Sequence, residues 1–494
     1  YVDDTPPIIT KEIGEPKYPV SGGFDGFEEW FITSHTPIYI NITDGGTEPC
    51  IVGSLHVRVG VWYDGIWTYT WYNSTTSPMN LTIYLEGDCM HYLNVTVWDD
   101  LGNMAYDNET FYVDNTPPEI VKVLEGPYKR VTDGEYFVSM ATFINLDDTH
   151  DIWCNGGVGL DTLTYRIWYN GEWTPWMPYT EPFNFTEECK HYLEINATDL
   201  LGNSIIDNET FYVDNHPPIS SVKPISPYVQ DPVIIISAEA EDRLGECASG
   251  VDRVELWYRY SFDNHSWSDW ILYDVDDIAP IWQFVFDAPD GPGYYEFCSI
   301  ATDYVENRED KEFTPEAMVA VPLNHTFHLK AQWTLITIPI ENNFTAKTLA
   351  EQLKLPKYSV VTRWDADKQK YIDYIVGIDT PGNPEFNIEN GVGYFIGVAS
   401  DMDSWVKGLP IQNVSLLLKP GLNLIGWTNK DNTTAKSLGE NITNCSVVIK
   451  WDETIQDFES HFVMAPTPGF TIELGRGVFV TIEGTEDIWW YGGK

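Results

Sequence analysis

Hydrophobic residues recur at every second position in short runs, broken by glycine, proline, asparagine and aspartate. Residues 59–63, 165–169 and 254–260 are such runs, rich in Val, Ile, Leu, Trp and Tyr. Period-two alternation of β-branched and aromatic residues predicts strands with one buried face. Asp64-Gly65 and Asn170-Gly171 follow the first two runs directly, and such dipeptides accept the positive φ of a tight hairpin. Trp67, Trp71, Trp173, Trp176, Trp267 and Trp270 fall on the returning strands, where cross-strand and core packing accounts for them. Helical signal is confined to two segments, beginning Thr345-Ala346 and Thr434-Ala435, each with threonine placed to cap the first turn.

The pattern repeats. Asp-Asn-Glu-Thr-Phe-Tyr-Val-Asp-Asn-x-Pro-Pro occupies 107–118 and again 207–218, and a truncated form, Tyr-Val-Asp-Asp-Thr-Pro-Pro, opens the chain at 1–7. Upstream stand Asp-x-x-Gly-Asn turns at 99–103 and 199–203, with a third version at 303–307. A period of about 100 residues, with turn signals throughout, predicts tandem immunoglobulin-like sandwiches at 8–115, 116–216 and 217–322, after a strand or linker stub at 1–7. The paired prolines close one domain and stiffen the link to the next. From 323 a different repeat begins. Thr345-Ala346-Lys347 recurs as Thr434-Ala435-Lys436, VVTRWD at 360–365 as VVIKWD at 447–452, and FNIENGVGYFIGV at 386–398 as FTIELGRGVFVTI at 470–482. These define two small β-rich modules, 323–410 and 411–494, each with one short helix. The expected fold class is all-β.

Composition narrows the function. The 494 residues carry 28 basic and 75 acidic side chains, a net charge of −47, which repels phosphate backbones and excludes nucleic acid as a partner. No apolar stretch is long enough to span a membrane, and a chain opening on Tyr1 is what processing of a secreted precursor would leave. Sequons stand at Asn41, Asn73, Asn80, Asn94, Asn108, Asn184, Asn196, Asn208, Asn264, Asn324, Asn343, Asn413, Asn432, Asn441 and Asn444. N-linked glycans at several of them, in an extracellular or cell-surface protein, are expected. Of seven cysteines, Cys50 and Cys89, Cys154 and Cys189, and Cys247 and Cys298 fall pairwise within one repeat each. One bridge per repeat is the simplest pairing, with Cys445 left over. Cys298 lies three residues before Ala301 whereas Cys189 lies eight before Ala197, so the third bridge is expected to join different strand positions. There is no CxxC and no paired-histidine spacing for zinc.

With Ser237-Ala-Glu-Ala-Glu-Asp242, Ala248-Ser-Gly-Val251 and the Ala-Thr-Asp-x-x-Gly-Asn of 197–203, residues 8–322 resemble the Ig-like repeats of bacterial and archaeal surface proteins. The twin module, with Leu422-Asn-Leu-Ile-Gly-Trp427 at its start and Trp-Asp at its centre, is similar to C-terminal modules of archaeal surface-layer and other exported archaeal proteins. No catalytic activity is attached to that pattern. The chain also lacks a G-x-S-x-G elbow, an H-E-x-x-H helix, a Walker loop and a dinucleotide fingerprint. The glycine pairs Gly391/Gly393 and Gly475/Gly477 recur in both modules and read as turns or bulges rather than phosphate cradles. His91 and His191 match across repeats as Cys-x-His-Tyr-Leu, a structural position. No enzyme is expected.

Carboxylates are the remaining candidate chemistry. Asp44, Asp147 and Asp242 follow the second strand of their units. Asp114 and Asp214 stand at domain junctions, and Asp99, Asp199 and Asp303 head the Asp-x-x-Gly-Asn turns. Oxygen ligands from adjacent domains suit structural Ca²⁺; Asx turns are the competing use of the same residues. The sequence thus points to a structural, non-enzymatic surface glycoprotein. Its expected partner is itself, in an S-layer-like sheet or an extracellular filament, with other surface proteins or glycans as further partners. An adhesin or glycan-binding protein, and accessory domains of a larger secreted enzyme, are the alternatives.

Overall fold

A computed structural model describes residues 2–20, 29–46, 53–152, 157–230, 233–243 and 245–492. The chain forms two compact units. One comprises 1–216 with 242–250 and 304–307; the other comprises 217–241, 251–303 and 308–494.

In the first unit each of the first two repeats is a sandwich. Ile8–Ile13, Ile38–Thr43 and Met79–Ile83 form one sheet of the first repeat. The other runs Lys17–Pro19, Trp30–Ile32, Met104–Val113, Cys89–Asp99, Leu55–Tyr63, Ile66–Ser74. Strict alternation decides what is inside: Ile38, Ile40 and Ile42 face Val57, Leu93, Val95, Phe111 and Val113, all at most 1% exposed. The Asp64-Gly65 and Asn170-Gly171 hairpins form as expected, with positive φ at all four residues. In the second repeat, Ser204–Val213, Cys189–Asp199 and Leu160–Tyr169 are the central strands. Lys11 pairs with Asp107 and Glu109, and Lys122 repeats this with Asp207 and Glu209.

The second unit contains the third sandwich and both small modules. Ile219–Val222, Ile234–Glu241 and Trp282–Phe286 form one sheet of the sandwich. Ile271–Asp276, Val251–Ser261, Gly293–Asp303 and Ala317–Val321 form the other. Each module has a four-stranded antiparallel sheet, Gln332–Thr337 to Lys370–Ile375 and Gly421–Gly426 to Asp457–Phe462, and one helix, Ala346–Gln352 or Ala435–Asn441. Thr345 and Thr434 cap these helices, their hydroxyls accepting from the N–H of Thr348 and Ser437.

The two modules share a seam built on the repeated motifs. Trp364 Nε1 donates to Leu422 O at 2.8 Å, and Trp451 Nε1 donates to Trp333 O at 2.9 Å. Leu335, Phe395, Leu424 and Phe479 fill the space between. The glycine pairs explain themselves here. Gly391 and Gly475 take positive φ in turns. At Gly393 and Gly477 a Cβ would lie 2.9 and 2.8 Å from Leu424 and Leu335 of the other module. Turns are present as expected, and close approach across the seam is the second requirement.

The disulfides require a correction. Cys189 bonds Cys247, not Cys154, with Cα atoms 5.0 Å apart. Cys298 is a buried free thiol rather than the partner of Cys247, and Cys445 is free. Cys189 begins its strand opposite Val213, beside the junction, so its side chain meets the 242–250 segment of the next repeat. Cys298 lies mid-strand opposite Trp257. Cys89 is disulfide-bonded, whereas Cys50 and Cys154 lie outside the described residues, as does any pairing through them.

Candidate metal centre at a repeat junction

Three carboxylates that are far apart in sequence converge where the second repeat begins. Asp114 follows the last strand of the first repeat, Asp151 lies beyond the strand Phe143–Asn145, and Asp199 ends the strand Cys189–Asp199. One ligand oxygen from each lies within 4.8 Å of the others. The three residues are 0, 6 and 1% exposed.

Backbone geometry holds each one. Asp199 Oδ1 accepts from the N–H of Leu201 and Asn203 at 2.8 and 2.9 Å, the Asx turn that the Asp-x-x-Gly-Asn pattern requires. Asn203 Nδ2 donates to Asp199 Oδ2 at 2.7 Å and to the Asp114 carbonyl at 3.1 Å, tying the turn to the junction. Asp114 accepts from the N–H of Thr116 at 3.0 Å and of Val158 at 3.3 Å. Asp151 Oδ2 accepts from the Gly159 N–H at 2.9 Å, while its Oδ1 is buried with no hydrogen-bond partner among the described residues. Gly157, at φ +69°, passes so close that a Cβ there would lie 2.2 Å from Asp151 Oδ2.

Charge is concentrated here without a basic partner: among the described residues no Lys, Arg or His pairs with any of the three. Burial raises the Asp114 carboxyl to about 6. The N–H groups of Thr116 and Val158 pull against that, and the charges of Asp151 and Asp199 add to it.

Parts of the arrangement recur at the other junctions. Asp99 accepts from Leu101 and Asn103 as Asp199 does, and Asn103 Nδ2 donates to the Asp3 carbonyl at 3.1 Å. Asn307 Nδ2 donates to the Asp214 carbonyl at 3.0 Å. Asp44 and Asp242 accept from the N–H of Gly53 and Gly250, as Asp151 does from Gly159. Asp214 Oδ2 accepts from the Ser249 N–H at 2.6 Å, and burial and the neighbouring Asp214 raise the Asp242 carboxyl. Asp303, in the second unit, ends its strand and is fully buried.

Asp147 does not belong to this set. It is exposed and accepts from the Tyr179 hydroxyl at 2.8 Å, because the chain continues four residues past it before turning in. Asp151 holds the place that Asp44 and Asp242 hold. The signal was present in the sequence: Asp44, Asp151 and Asp242 stand 9, 8 and 8 residues before Gly53, Gly159 and Gly250, with a cysteine between, a register that counting from the strand end misses.

The other predicted sites are peripheral. All fifteen sequon asparagines are exposed or half-exposed. Asn41 donates to Asn80, and Asn94 to Asn108, at 2.7 Å each. His91 and His191 are buried and stack on Tyr63 and Tyr169 at 4.5 and 4.7 Å. The paired tryptophans are not core residues. Trp173 and Trp176 flank the Arg166 guanidinium at 4.5 and 4.7 Å, and Trp267 and Trp270 flank Arg259 at 5.0 and 5.2 Å. In the first repeat Arg58 instead lies over Tyr69 and Trp98, leaving Trp67 and Trp71 43 and 60% exposed.

No helix among the described residues is long and apolar enough to cross a membrane. No protein-family model matches the chain, and no curated protein matches it. Among solved structures it is similar to part of a bacterial ice-binding adhesin concerned in host cell surface retention, at 12% identity and TM-score 0.25, over 65% of this chain and 99% of that one. A Ca²⁺-stabilized ice-binding adhesin of an Antarctic bacterium aligns at 11% identity and TM-score 0.21, over 76% and 94%. Domains A168–A170 of titin align at 12% and 0.24, over 63% and 99%. Likeness this loose carries no functional argument.

Proposed function

We propose that this chain is a non-catalytic extracellular surface glycoprotein whose repeats act as stiffened spacers, and that copies of it assemble laterally into a surface layer or filament. The observation that carries this reading is the treatment of the junctions. An asparagine amide is bonded to a junction aspartate carbonyl at each of three successive positions, and a disulfide ties Cys189 to Cys247. Bonds repeated at joints rather than at a cleft serve a mechanical role. Fifteen accessible sequons and a net charge of −47 suit an exported chain that stays soluble until it assembles.

Negative-stain electron microscopy of the native glycoprotein at rising concentration tests the assembly. Ordered sheets or filaments are expected; monodisperse particles at every concentration overturn it. One feature favours a second reading, an adhesin. The edge strand Ile66–Ser74 exposes Trp67, Tyr69 and Trp71 on one face, and exposed aromatic faces of this kind take sugar rings or protein surfaces.

A further inference from the structure

We propose that Asp114, Asp151 and Asp199 bind one calcium ion at the junction of the first and second repeats. The geometry of the three carboxylates carries this inference independently of any assembly. Two oxygens on opposite sides of a calcium ion, each at about 2.4 Å, are about 5 Å apart, and the ligand oxygens here all lie within 4.8 Å of one another. Magnesium draws its ligands in to about 2.0 Å and demands a regular octahedron, whereas calcium accepts an irregular oxygen shell such as three carboxylates from separate loops can supply.

The second observation is Asp151 itself. It is 94% buried, and its Oδ1 receives no hydrogen bond from any described residue, while Oδ2 is fixed by Gly159. An ionised carboxylate oxygen left without a donor in a buried site is costly unless a cation completes it. The neighbouring charges on Asp114 and Asp199 raise that cost, and no basic side chain among the described residues offsets it.

The backbone is shaped to keep the site open. Gly157 leaves room beside Asp151 that any Cβ would fill. The Asn203 amide anchors Asp199 and the Asp114 backbone with one group, so two of the three ligands are placed before an ion arrives. A preformed oxygen site in an extracellular module binds calcium with Kd of about 10⁻⁴–10⁻³ M.

The test uses the full chain, stripped with EDTA and titrated with CaCl₂ by calorimetry up to 5 mM, about five times the weakest of those Kd values. Asp151→Asn should bind one calcium fewer than the wild type and show a smaller calcium-induced rise in Tm. Asp147→Asn should match the wild type in both. In EDTA, Asp151→Asn should melt at or above the wild-type Tm, because one repelling charge is gone; a merely structural Asp151 predicts a fall. Should Asp151→Asn not fold, Asp114→Asn is the second variant, with the same loss of one ion expected. The proposal is overturned if the wild type binds no calcium, if both Asn variants fail to fold in EDTA, if a folded variant binds as many ions as the wild type, or if magnesium binds equally well.

Discussion

A side chain's place in a strand fixes its chemistry here more than its identity does. The two free cysteines illustrate this. Burial pushes both the Cys298 and Cys445 thiols up to about 11, with the Glu316 carboxylate adding to the effect at Cys298. At pH 8 roughly one in a thousand of either is then thiolate, the form that reacts. Iodoacetamide at pH 8 should therefore leave both unmodified in the native protein and label both after unfolding, read by mass spectrometry; labelling of native Cys298 within minutes would show that the strand around it opens. Sequence grouped Cys298 with Cys247 by proximity, and only its mid-strand position revealed why it has no partner. Asp147 and Asp151 make the same point: four residues apart, one is solvated and one is a buried ligand candidate.

At the scale of elements, the repeated motifs are seams as much as turns. Gly426 begins no turn, yet a Cβ there would lie 2.2 Å from the Thr337 side chain of the other module. Its neighbour Trp427 accepts the Gly475 N–H and donates its own N–H to Arg476 O. Gly426→Ala should cost about 1–3 kcal/mol by overpacking, measured as a drop in the urea midpoint of the full chain. An unchanged midpoint would mean that the seam yields without loss. Elements themselves were readable from the chain: the Asp-Gly and Asn-Gly hairpins, the two capped helices and the alternating strands are local consequences of φ preference and period. The outward-facing Trp pairs were not, because alternation says which residues share a face but not which face is inside. Arg166 and Arg259 beneath those rings are what make the solvent face hospitable to tryptophan.

For the whole molecule, the covalent link between Cys189 and Cys247 spans 58 residues. Closing a loop of that length contributes about 4 kcal/mol in the chain-entropy description. Cys247→Ser should lower the melting temperature of the first unit while leaving the melting of the two small modules in place, resolved as separate calorimetric transitions. A uniform downward shift of every transition would show that the units unfold as one. Non-reducing peptide mapping should yield a Cys189–Cys247 peptide and none joining Cys154 to Cys189.

Sequence by itself determined the all-β class, the three-plus-two repeat plan, the acidic surface, the sequons and the junction aspartates Asp114 and Asp199, since each depends on local period, composition or a motif repeated within the chain. Tertiary structure decided which cysteines bond, that Asp151 rather than Asp147 completes the carboxylate set, and that the glycine pairs line a seam between modules. Those outcomes depend on which strand ends meet across a junction. Packing brings such ends together over separations of tens of residues, and no repeat period records that distance.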